Sequence, residues 1–546
     1  MIMGLELLIP SAKYIQENLQ NIGKMPPVLY PLGSGVILDY LQSQYSPFVD
    51  GFTIIGYEGA DQLAAKLTEP KYRNIRLITL NSLNDLAHTV YHGLPDDNSG
   101  VIINFADTIV EDNITNEQED CFYYSMEDIS DLWTFFSFND RELIILDKPS
   151  NSIPQKGMAF TGVFRLSDSK VFKRCLEDTF NDKQFECSSF YEAIIRYNRI
   201  HHLEPIETKH WYDIGHIDRY YNSKLEVKAR EFNHITIDKM RGKLKKTSDN
   251  KDKFVGEISW YLKIPSDIEY CRPRIFSYSM SYNEPYIDME YYSYHTVHEL
   301  FLYGNLRYAQ WKSVFDRISF VLDDFSRYTV KGDQIVPSLK SIYLDKTISR
   351  LETLSTNPRF ADLYNVPLTV NGIRYRPVSD VIKILKDIIP DRLFDVDRFS
   401  IIHGDMCFSN ILIDDNFSFI KLIDPRGKFG SFDIYGDPRY DIAKLFHSVD
   451  GKYDMIIKDQ FSIDIDRGSK AIDFEVRSPK HDFDLFELLQ LALADKIGDQ
   501  KDNIELIESL LFLSMIPLHG ESENHQLAML CTGLQILDRV CDIKEE

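Results

Sequence analysis

Short apolar runs alternate with helix-like stretches over the first 225 residues of the chain. The apolar runs are Leu5–Ile9, Phe52–Ile55, Ile75–Leu80, Val101–Asn104 and Ala159–Leu166, and amphipathic stretches such as Val36–Gln44 and Asp61–Leu67 lie between them. This alternation predicts an α/β layer with a largely parallel sheet. Because sites in such sheets form beyond the carboxyl ends of strands, Asp107 is a candidate, as it follows the run that begins at Val101.

A different pattern occupies the C-terminal part of the chain. The apolar segments Ile411–Ile413 and Phe417–Ile423 are separated by Asp414–Asn416, a turn-rich stretch that predicts a β-hairpin. Asn410 lies immediately before the first segment and Asp424 immediately after the second. The hairpin would therefore bring Asn410 and Asp424 together at its open end.

The side chains at this hairpin suit phosphoryl transfer. Such a reaction needs a divalent metal across the phosphates and a carboxylate that orients the attacking hydroxyl and accepts its proton. Asp405, five residues before Asn410, suits the second task, while Asn410 and Asp424 offer the oxygen ligands that Mg²⁺ prefers. The alternative is that Asp424 is only a turn or cap residue after a strand.

These residues resemble a known family. The segments His403–Asn410, Ile423–Pro425 and Gly436–Ala443 are similar in order and spacing to the aminoglycoside phosphotransferase and choline kinase family, which has a bilobal α+β protein-kinase-like fold. The resemblance implies that Asp405 is the catalytic base, that Asn410 and Asp424 bind Mg²⁺, and that the phosphate donor is ATP, or GTP in its place.

A kinase of this type also needs a strand lysine that contacts the phosphates and a helix glutamate that holds the lysine. A predicted strand ends with Lys243, Lys245 and Lys246, and a predicted helix that contains Glu257 follows it. Alternation along a strand places Lys243 and Lys245 on one face and Lys246 on the other. The resemblance favours Lys246, whereas a solvated basic strand edge is the alternative for any one of the three.

The base-binding hinge is predicted directly after the strand Pro285–Tyr291. Backbone groups near Glu290 and Tyr291 would then meet the edge of the nucleotide base. No glycine-rich phosphate loop precedes them, since Gly242 is the only glycine between Lys228 and Val255. The sequence therefore leaves the phosphate-covering element unidentified.

The first half of the chain resembles the sugar-nucleotide and choline-phosphate nucleotidyltransferases, which have a Rossmann-like fold of the GT-A type. The resemblance rests on Leu8–Ala12, Pro26–Leu32, Ala106–Asp107 and Trp211–His216. It implies that Asp107 and Asp213 bind a metal ion, although a turn residue and a helix cap are the alternatives.

The first half also departs from that family. The segment Lys13–Leu19 contains neither glycine nor arginine, and Pro27 stands where the family has a lysine. Groups that would cradle and neutralise a triphosphate are therefore missing. We predict a degenerate nucleotidyltransferase-like domain over residues 1–225, a kinase small lobe over 226–295 and a large lobe over 296–546.

The composition and charge of the chain limit the classes of partner that we expect it to bind. The formal net charge of −23 argues against nucleic acid or an anionic membrane as a partner. No apolar run is long enough to span a bilayer, and the N-terminus lacks the basic segment of a signal peptide. Seven cysteines without paired spacing favour reduced thiols, so we expect a cytoplasmic protein. The sequence leaves open whether it forms a homo-oligomer.

Three functions follow from these patterns. The leading one is a Mg²⁺-dependent kinase that phosphorylates a hydroxyl of a sugar, polyol or amino-alcohol used in bacterial capsule or other surface polysaccharide biosynthesis. The second is a bifunctional kinase and nucleotidyltransferase, and the third is a non-catalytic nucleotide-binding scaffold. Arg426 and His519 are candidates for the acceptor side, where an arginine suits a carboxylate or phosphate. For Arg426 the alternative is a salt bridge to Asp433 or Asp437.

Overall fold

The computed structural model describes residues 4–112, 120–139, 142–150, 153–182, 185–217, 219–224, 234–477 and 482–545. The chain divides into two compact units, Met1–Phe232 and Asn233–Glu546. The boundary that the sequence predicts, between residues 225 and 226, lies outside the described residues.

The first unit is an α/β structure built on one large sheet. Its strands are β1 (Leu5–Ser11), β2 (Pro31–Leu32), β3 (Gly35–Val36), β4 (Gly51–Gly56), β5 (Ile75–Thr79), β6 (Gly100–Asn104), β7 (Thr108–Val110), β8 (Cys121–Ile129), β9 (Thr134–Asn139), β10 (Glu142–Asp147), β11 (Ile153–Leu166), β12 (Glu204–Glu207) and β13 (Trp211–Asp213). Its helices are α1 (Ile37–Tyr45), α2 (Ala60–Lys66), α3 (Leu86–Gly93), α4 (Ser169–Asn181) and α5 (Ser189–Ile200).

The sheet of the first unit is mixed rather than largely parallel. The neighbours β6, β1, β4 and β5 run parallel to one another, but β11 pairs antiparallel with β6, β8 and β9. The expectation of a largely parallel sheet is therefore wrong for this half. A mainly apolar run such as Ala159–Leu166 indicates that the strand is buried on both faces. It does not indicate whether the neighbouring strand is parallel or antiparallel.

Two short strands shape the edge of this unit where candidate residues lie. Strand β7 follows β6 after a turn at Asp107, and β13 pairs antiparallel with β7 so that Asp213 lies opposite Thr108. The Ile214 amide donates to the Asp107 carbonyl at 2.9 Å. Asp107 and Asp213, which are distant in sequence, therefore become neighbours at the carboxyl end of β6.

The second unit begins with a four-stranded antiparallel sheet and continues into a larger, mainly helical part. Its strands are β14 (Ile235–Asp238), β15 (Lys243–Lys246), β16 (Ile275–Ser279), β17 (Tyr286–Glu290), β18 (His295–Thr296), β19 (Thr329–Val330), β20 (Leu368–Val370), β21 (Ile373–Tyr375), β22 (Phe399–Ile401), β23 (Ile411–Ile413), β24 (Ile420–Leu422), β25 (Tyr435–Gly436), β26 (Phe461–Asp466) and β27 (Ala471–Val476). Its helices are α6 (Lys251–Lys263), α7 (Val297–Tyr303), α8 (Tyr308–Ser326), α9 (Ile335–Leu339), α10 (Lys346–Glu352), α11 (Val378–Leu393), α12 (Pro438–Val449), α13 (Tyr453–Ile457), α14 (Leu485–Ala492), α15 (Ala494–Ile497), α16 (Lys501–Met515) and α17 (Glu523–Val540).

This arrangement confirms the predicted fold class of an α/β unit followed by a bilobal α+β unit. The small sheet has the order β14-β15-β17-β16, and helix α6 follows β15 in the chain. The predicted hairpin is present as β23 and β24, with Ile411 opposite Leu422. None of the helices within the described ranges is long and apolar enough to cross a membrane.

Helix α12 is the buried centre of the larger part of the second unit. Pro438 occupies its first turn, and Asp437 caps it by accepting a hydrogen bond from the Arg439 amide. Every residue from Arg439 to Val449 is buried, and the helix packs against α16. A helix buried on all sides has a fixed position, so its polar side chains can align catalytic groups.

One buried histidine on α12 gives a test of this packing. The ring of His447 lies 4.3 Å from the rings of both Tyr453 and Phe512. Neither of its ring nitrogens has a hydrogen-bond partner within the described part of the chain. Burial, and next the charge of Lys444, lowers the pKa of His447 well below its usual value of 6.5.

We expect His447→Phe to be at least as stable as the parent at pH 7.5 and more stable than the parent at pH 5.5. The unfolded chain binds a proton at His447 near pH 6.5 whereas the folded chain does not, so acid favours unfolding of the parent. The difference should grow by about 1.4 kcal/mol for each pH unit below 6.5. Urea unfolding of both proteins at the two pH values measures it, and equal pH dependence would contradict the prediction.

Candidate active site

The loop between β22 and β23 carries Asp405, and a buried carboxylate fixes its shape. Asp441 on α12 accepts hydrogen bonds from the amides of His403 at 2.6 Å and of Gly404 at 2.8 Å. Gly404 has a φ of 75°, and an ideal Cβ there would lie 2.9 Å from Cβ of Arg426. Glycine therefore allows the turn that presents Asp405.

Asp405 is paired with a lysine that the sequence reasoning missed. The Nζ atom of Lys444 on α12 lies 2.9 Å from Oδ1 of Asp405. Burial would raise the pKa of Asp405, but the Lys444 ammonium outweighs it and lowers the pKa to about 2. The carboxylate is therefore ionised throughout the physiological range. Lys444 directly follows the segment Gly436–Ala443 that carries the family resemblance, and its pairing depends on how α12 packs.

The hairpin places Asn410 and Asp424 side by side. The Ile423 amide donates to the Asn410 carbonyl at 3.0 Å, so the two candidate ligands flank the open end of the hairpin. The Asn410 amide nitrogen donates to the Asp405 carbonyl at 2.9 Å, which turns its amide oxygen away from Asp405. Asp424 adopts a left-handed φ of 57°, a conformation that aspartate tolerates better than most residues.

Lys246 is the lysine that meets the other predicted residues. Its Nζ atom lies 2.8 Å from Oε1 of Glu257 and 2.7 Å from Oδ1 of Asp424. Lys243 and Lys245 instead lie over the rings of Phe276 and Tyr286, each at 4.4 Å from the centroid. The alternation along β15 thus directs Lys246 alone of these three lysines to the hairpin.

The group around Lys246 carries more negative than positive charge. Burial, and next the charge of Asp424, raises the pKa of Glu257 to about 7, although Lys246 acts in the opposite direction. One ammonium thus lies between two carboxyl groups, and Asn410 adds a neutral oxygen. This donor set fits a divalent cation such as Mg²⁺, with Asp424 and Asn410 as the residues that would hold it.

A close backbone contact joins helix α6 to the segment after Asp424. Gly427 has a φ of 67°, and an ideal Cβ there would clash with the Gly256 carbonyl oxygen. The Asp424 amide donates to the Tyr261 hydroxyl at 3.0 Å. Helix α6 therefore contacts the hairpin exit through its backbone at Gly256 and through the Tyr261 side chain.

The predicted hinge residues end the strand β17. The Glu290 amide donates to the Arg274 carbonyl and the Tyr291 amide donates to the Gly242 carbonyl, both at 2.8 Å. The Glu290 carboxylate accepts from the Tyr292 hydroxyl at 2.7 Å. Contact of Glu290 and Tyr291 with a nucleotide base stays a prediction, and their own amides are already used within the sheet.

The two candidate acceptor residues differ in their surroundings. Arg426 donates to the Tyr440 hydroxyl at 2.8 Å, while the alternative partners Asp433 and Asp437 are paired with Lys263 and Arg439. His519 pairs with Glu521 at 3.0 Å. Within the described residues no hydrogen bond or ion pair joins His519 to Asp405, Asn410 or Asp424. The structure thus brings Arg426 to the Asp405 loop and gives His519 a separate partner.

In the first unit, Asp107 and Asp213 flank Gly215. An ideal Cβ on Gly215 would lie 2.6 Å from Oδ2 of Asp107 and 3.3 Å from Oδ1 of Asp213. Burial, and next the charge of Asp213, raises the pKa of Asp107 to about 6. The two carboxyl groups therefore share the space that a missing side chain leaves between them.

The Asp213 carboxylate is already hydrogen-bonded at both oxygens. Oδ2 accepts from Trp133 at 2.9 Å and contacts Nδ1 of His216 at 2.7 Å, while Oδ1 accepts from the Gly215 amide at 2.9 Å. A metal ion held jointly with Asp107 would have to use the remaining lone pair on Oδ1. Asp424, by contrast, is hydrogen-bonded within the described residues through Oδ1 alone, so its Oδ2 is the more available metal ligand.

A cleft of about 260 Å³ runs beside Asp107 in the first unit. Residues 10–16 line one side of it, and Asn84, Asp85 and Gly215 contribute to the rest. Lys13 is the single basic residue among the described residues that line it. The cleft has the position expected for a nucleotide, but it offers little charge to a triphosphate.

No family model matches the chain, and no curated protein matches it. Among solved structures, the first unit is similar to the CTP:phosphocholine cytidylyltransferase of Streptococcus pneumoniae, with 16% identity, a TM-score of 0.34, and coverage of 41% of this chain and 100% of that one. The C-terminal part is similar to a thermostable mutant of an aminoglycoside phosphotransferase, with 11% identity, a TM-score of 0.30, and coverage of 55% and 87%. It is also similar to a type VIII aminoglycoside-3'-phosphotransferase, with 13% identity, a TM-score of 0.25, and coverage of 54% and 84%. These are the two classes of protein that the sequence resembles.

The sequence predicts that the second unit binds Mg-ATP, and Lys246→Met should then weaken that binding by about tenfold or more, because it removes the charge placed between Glu257 and Asp424. The matched control is Lys245→Met, which removes an equal charge from the exposed face of the same strand. Equilibrium binding of a fluorescent ATP analogue to the three full-length proteins measures the effect. Equal affinities for parent and both variants would contradict the role of Lys246.

Proposed function

We propose that the second unit is a Mg²⁺-dependent kinase that transfers the γ-phosphate of ATP, or of GTP, to a hydroxyl group of a small molecule. The observation that supports the proposal best is the meeting of three sequence-distant segments at one point. Lys246 from β15, Glu257 from α6 and Asp424 from the hairpin lie within direct ion-pair distance, next to Asn410 and the Asp405 loop.

Asp405 would orient the acceptor hydroxyl through Oδ2, which accepts a long hydrogen bond of 3.3 Å from the Asn410 amide nitrogen, whereas Oδ1 is held by Lys444 at 2.9 Å. A carboxylate with a pKa of about 2 is a weak base, so it holds the hydroxyl by a hydrogen bond in the ground state. As the hydroxyl oxygen bonds to the γ-phosphorus and the bond to the leaving ADP oxygen breaks, the hydroxyl becomes acidic and its proton passes to Oδ2.

Lys246 would neutralise charge on the nucleotide phosphates. It now divides its hydrogen bonds between Glu257 and Asp424. We expect phosphate oxygens to replace Asp424 as its second partner, while Glu257 keeps the side chain in place. Magnesium held by Asn410 and Asp424 would supply the positive charge that spans the transferred phosphoryl group.

The joining of this unit to a nucleotidyltransferase-like unit suits a small-molecule acceptor that is phosphorylated and then activated with a nucleotide. We propose a sugar, polyol or amino-alcohol of bacterial surface polysaccharide biosynthesis as the acceptor class. The cytidylyltransferase and aminoglycoside phosphotransferase names of the similar structures suggest the same kind of chemistry.

A second candidate function is that the chain is bifunctional, with nucleotidyl transfer in the first unit. The observation that favours it is the pair Asp107 and Asp213 around Gly215, beside the cleft. Both carboxylate oxygens of Asp213 already take part in hydrogen bonds, and Lys13 is the single basic residue among the described residues that line the cleft. These two features favour nucleotide binding without nucleotidyl transfer in the first unit.

Asp405→Asn should lower the rate of acceptor-dependent ADP formation by a factor of about 10² to 10⁴, since it removes the proton acceptor. The matched control is Asp433→Asn, which changes a half-exposed aspartate that is paired with Lys263. Coupled measurement of ADP from purified proteins, with circular dichroism to verify folding, gives the comparison. Unchanged turnover in Asp405→Asn would contradict the kinase proposal. Nucleotide binding by the parent protein without any ADP formation would favour the non-catalytic scaffold.

Asp107→Asn should leave ADP formation unchanged, because Asp107 belongs to the other unit. Pyrophosphate release from CTP, GTP, UTP or ATP, measured with a phosphorylated acceptor, separates the two candidate functions. Pyrophosphate released by the parent and lost in Asp107→Asn would establish the bifunctional alternative.

A further inference from the structure

Three cationic side chains beside the Asp405 loop have no carboxylate partner among the residues that the structure describes. Arg426 donates to the Tyr440 hydroxyl at 2.8 Å, and the Nζ atom of Lys346 lies 5.9 Å from the centroid of the Tyr440 ring. Arg350 follows Lys346 by one turn of α10 and donates to the Ser514 carbonyl at 2.9 Å. Within the described part of the chain, none of these three cations forms an ion pair.

The carboxylates near this cluster are committed to other groups. Asp433 pairs with Lys263, Asp437 with Arg439, Asp405 with Lys444, and Asp441 accepts backbone amides. Half-buried cations that lie together without a carboxylate partner among the described residues repel one another, which suggests an anion from outside.

The positive charge of this cluster lowers the pKa values of both Lys346 and Tyr440. Burial, together with the charges of Arg426, Arg350 and Lys444, lowers the pKa of Lys346 to about 8, although Tyr440 acts in the opposite direction. Burial would raise the pKa of Tyr440, but the charges of Lys346, Arg426 and Lys444 lower it to about 8. A bound anion would relieve this repulsion between like charges.

The cluster is next to the proposed reaction centre. Tyr440 and Lys444 are one turn apart on α12, and Lys444 pairs with Asp405. Arg426 packs against Gly404, the residue before Asp405. The side chains of Lys346, Arg350 and Arg426 are half-buried, so each still reaches solvent. Helix α10 follows a π-helical segment, Lys340–Asp345, a local distortion that occurs often at functional sites.

We propose that Lys346, Arg350, Arg426 and the Tyr440 hydroxyl bind a phosphate monoester carried by the acceptor. The acceptor is then a phosphorylated sugar or polyol whose free hydroxyl reaches Asp405, and this inference rests on the proposed kinase function.

A phosphate monoester suits the cluster better than a carboxylate does. It carries close to two negative charges and three acceptor oxygens, which match two guanidinium groups, one ammonium and one hydroxyl donor. The Tyr440 hydroxyl accepts from Arg426, so its own hydrogen is available to an anion. The same charges disfavour a cationic acceptor, which makes an amino-alcohol the least suitable member of the proposed acceptor class.

Binding of inorganic phosphate to the full-length protein tests the site without turnover. Thermal unfolding is followed during a phosphate titration at constant ionic strength, with chloride as the balancing anion. We expect the melting temperature of the parent to rise with phosphate, and the apparent phosphate affinity to fall about tenfold or more in Lys346→Met and in Arg350→Met. Lys340→Met, which removes an exposed lysine paired with Asp345, should keep the parent response.

A second readout separates binding from a structural role. Because Lys346 lies among like charges, Lys346→Met should melt at a temperature equal to or above that of the parent when phosphate is absent. A lysine that only stabilised the fold would lower the melting temperature on removal. Equal phosphate responses of the parent, Lys346→Met and Arg350→Met, or no response of the parent, would overturn the inference.

Matched acceptors then identify the anionic group. ADP formation is compared within two sets of acceptors. The first set is glycerol, glycerate, glycerol 3-phosphate and ethanolamine, and the second is glucose and glucose 6-phosphate. We expect the phosphorylated members to have the higher kcat/KM and Lys346→Met to raise their KM. A higher kcat/KM for a neutral, carboxylate or amino acceptor than for the phosphorylated acceptor of the same set would overturn the phosphate assignment.

The failures of the two proposals are distinguishable. If Mg-ATP neither binds nor yields ADP in the parent protein, the kinase proposal fails irrespective of the phosphate titration. If ADP forms and depends on Asp405, but phosphate does not bind through Lys346 and Arg350, only the anionic-acceptor inference fails.

Discussion

The interaction on which the second unit depends is the pair of hydrogen bonds from the His403 and Gly404 amides to the buried Asp441 carboxylate. Burial raises the pKa of Asp441 to about 7, while both backbone bonds act in the opposite direction and stabilise the anion. Because Asp441 belongs to the fully buried helix α12, these bonds fix the Asp405 loop to the centre of the unit. Lys444 and Tyr440 lie on the same helix, so one element orients the proposed base, its cation and the proposed acceptor site.

The small sheet is tied to that loop by a second set of contacts, all through helix α6. The Trp260 indole donates to the Ile402 carbonyl at 2.7 Å, and Glu257 holds Lys246 at 2.8 Å. The approach of Gly256 to Gly427 allows the helix to lie directly on the segment after Asp424. The position of Lys246 relative to Asp424 thus follows from helix packing rather than from the strand alone.

Charge is divided across the second unit in a way that suits two different ligands. Around Lys246 the carboxyl groups outnumber the ammonium, which favours a divalent cation. Around Tyr440, the side chains of Lys346, Arg350 and Arg426 form no ion pair within the described residues, which favours an anion, while Lys444 pairs with Asp405. In the first unit the candidate metal ligands are Asp107 and Asp213, and both carboxylate oxygens of Asp213 already accept hydrogen bonds. The second unit is therefore the better supported place for chemistry.

The sequence by itself determined the parts of this protein that depend on neighbours in the chain. The hairpin, the placement of Asn410 and Asp424 at its open end and the alternation that sets Lys246 apart from Lys243 and Lys245 all follow from local periodicity and turn chemistry. Tertiary structure alone decided the antiparallel half of the first sheet, the pairing of Lys444 with Asp405, and the hydrogen bond that gives Arg426 the Tyr440 hydroxyl as a partner instead of Asp433 or Asp437. These features join residues far apart in the chain, and local pattern carries no information about which distant charge or strand becomes the neighbour.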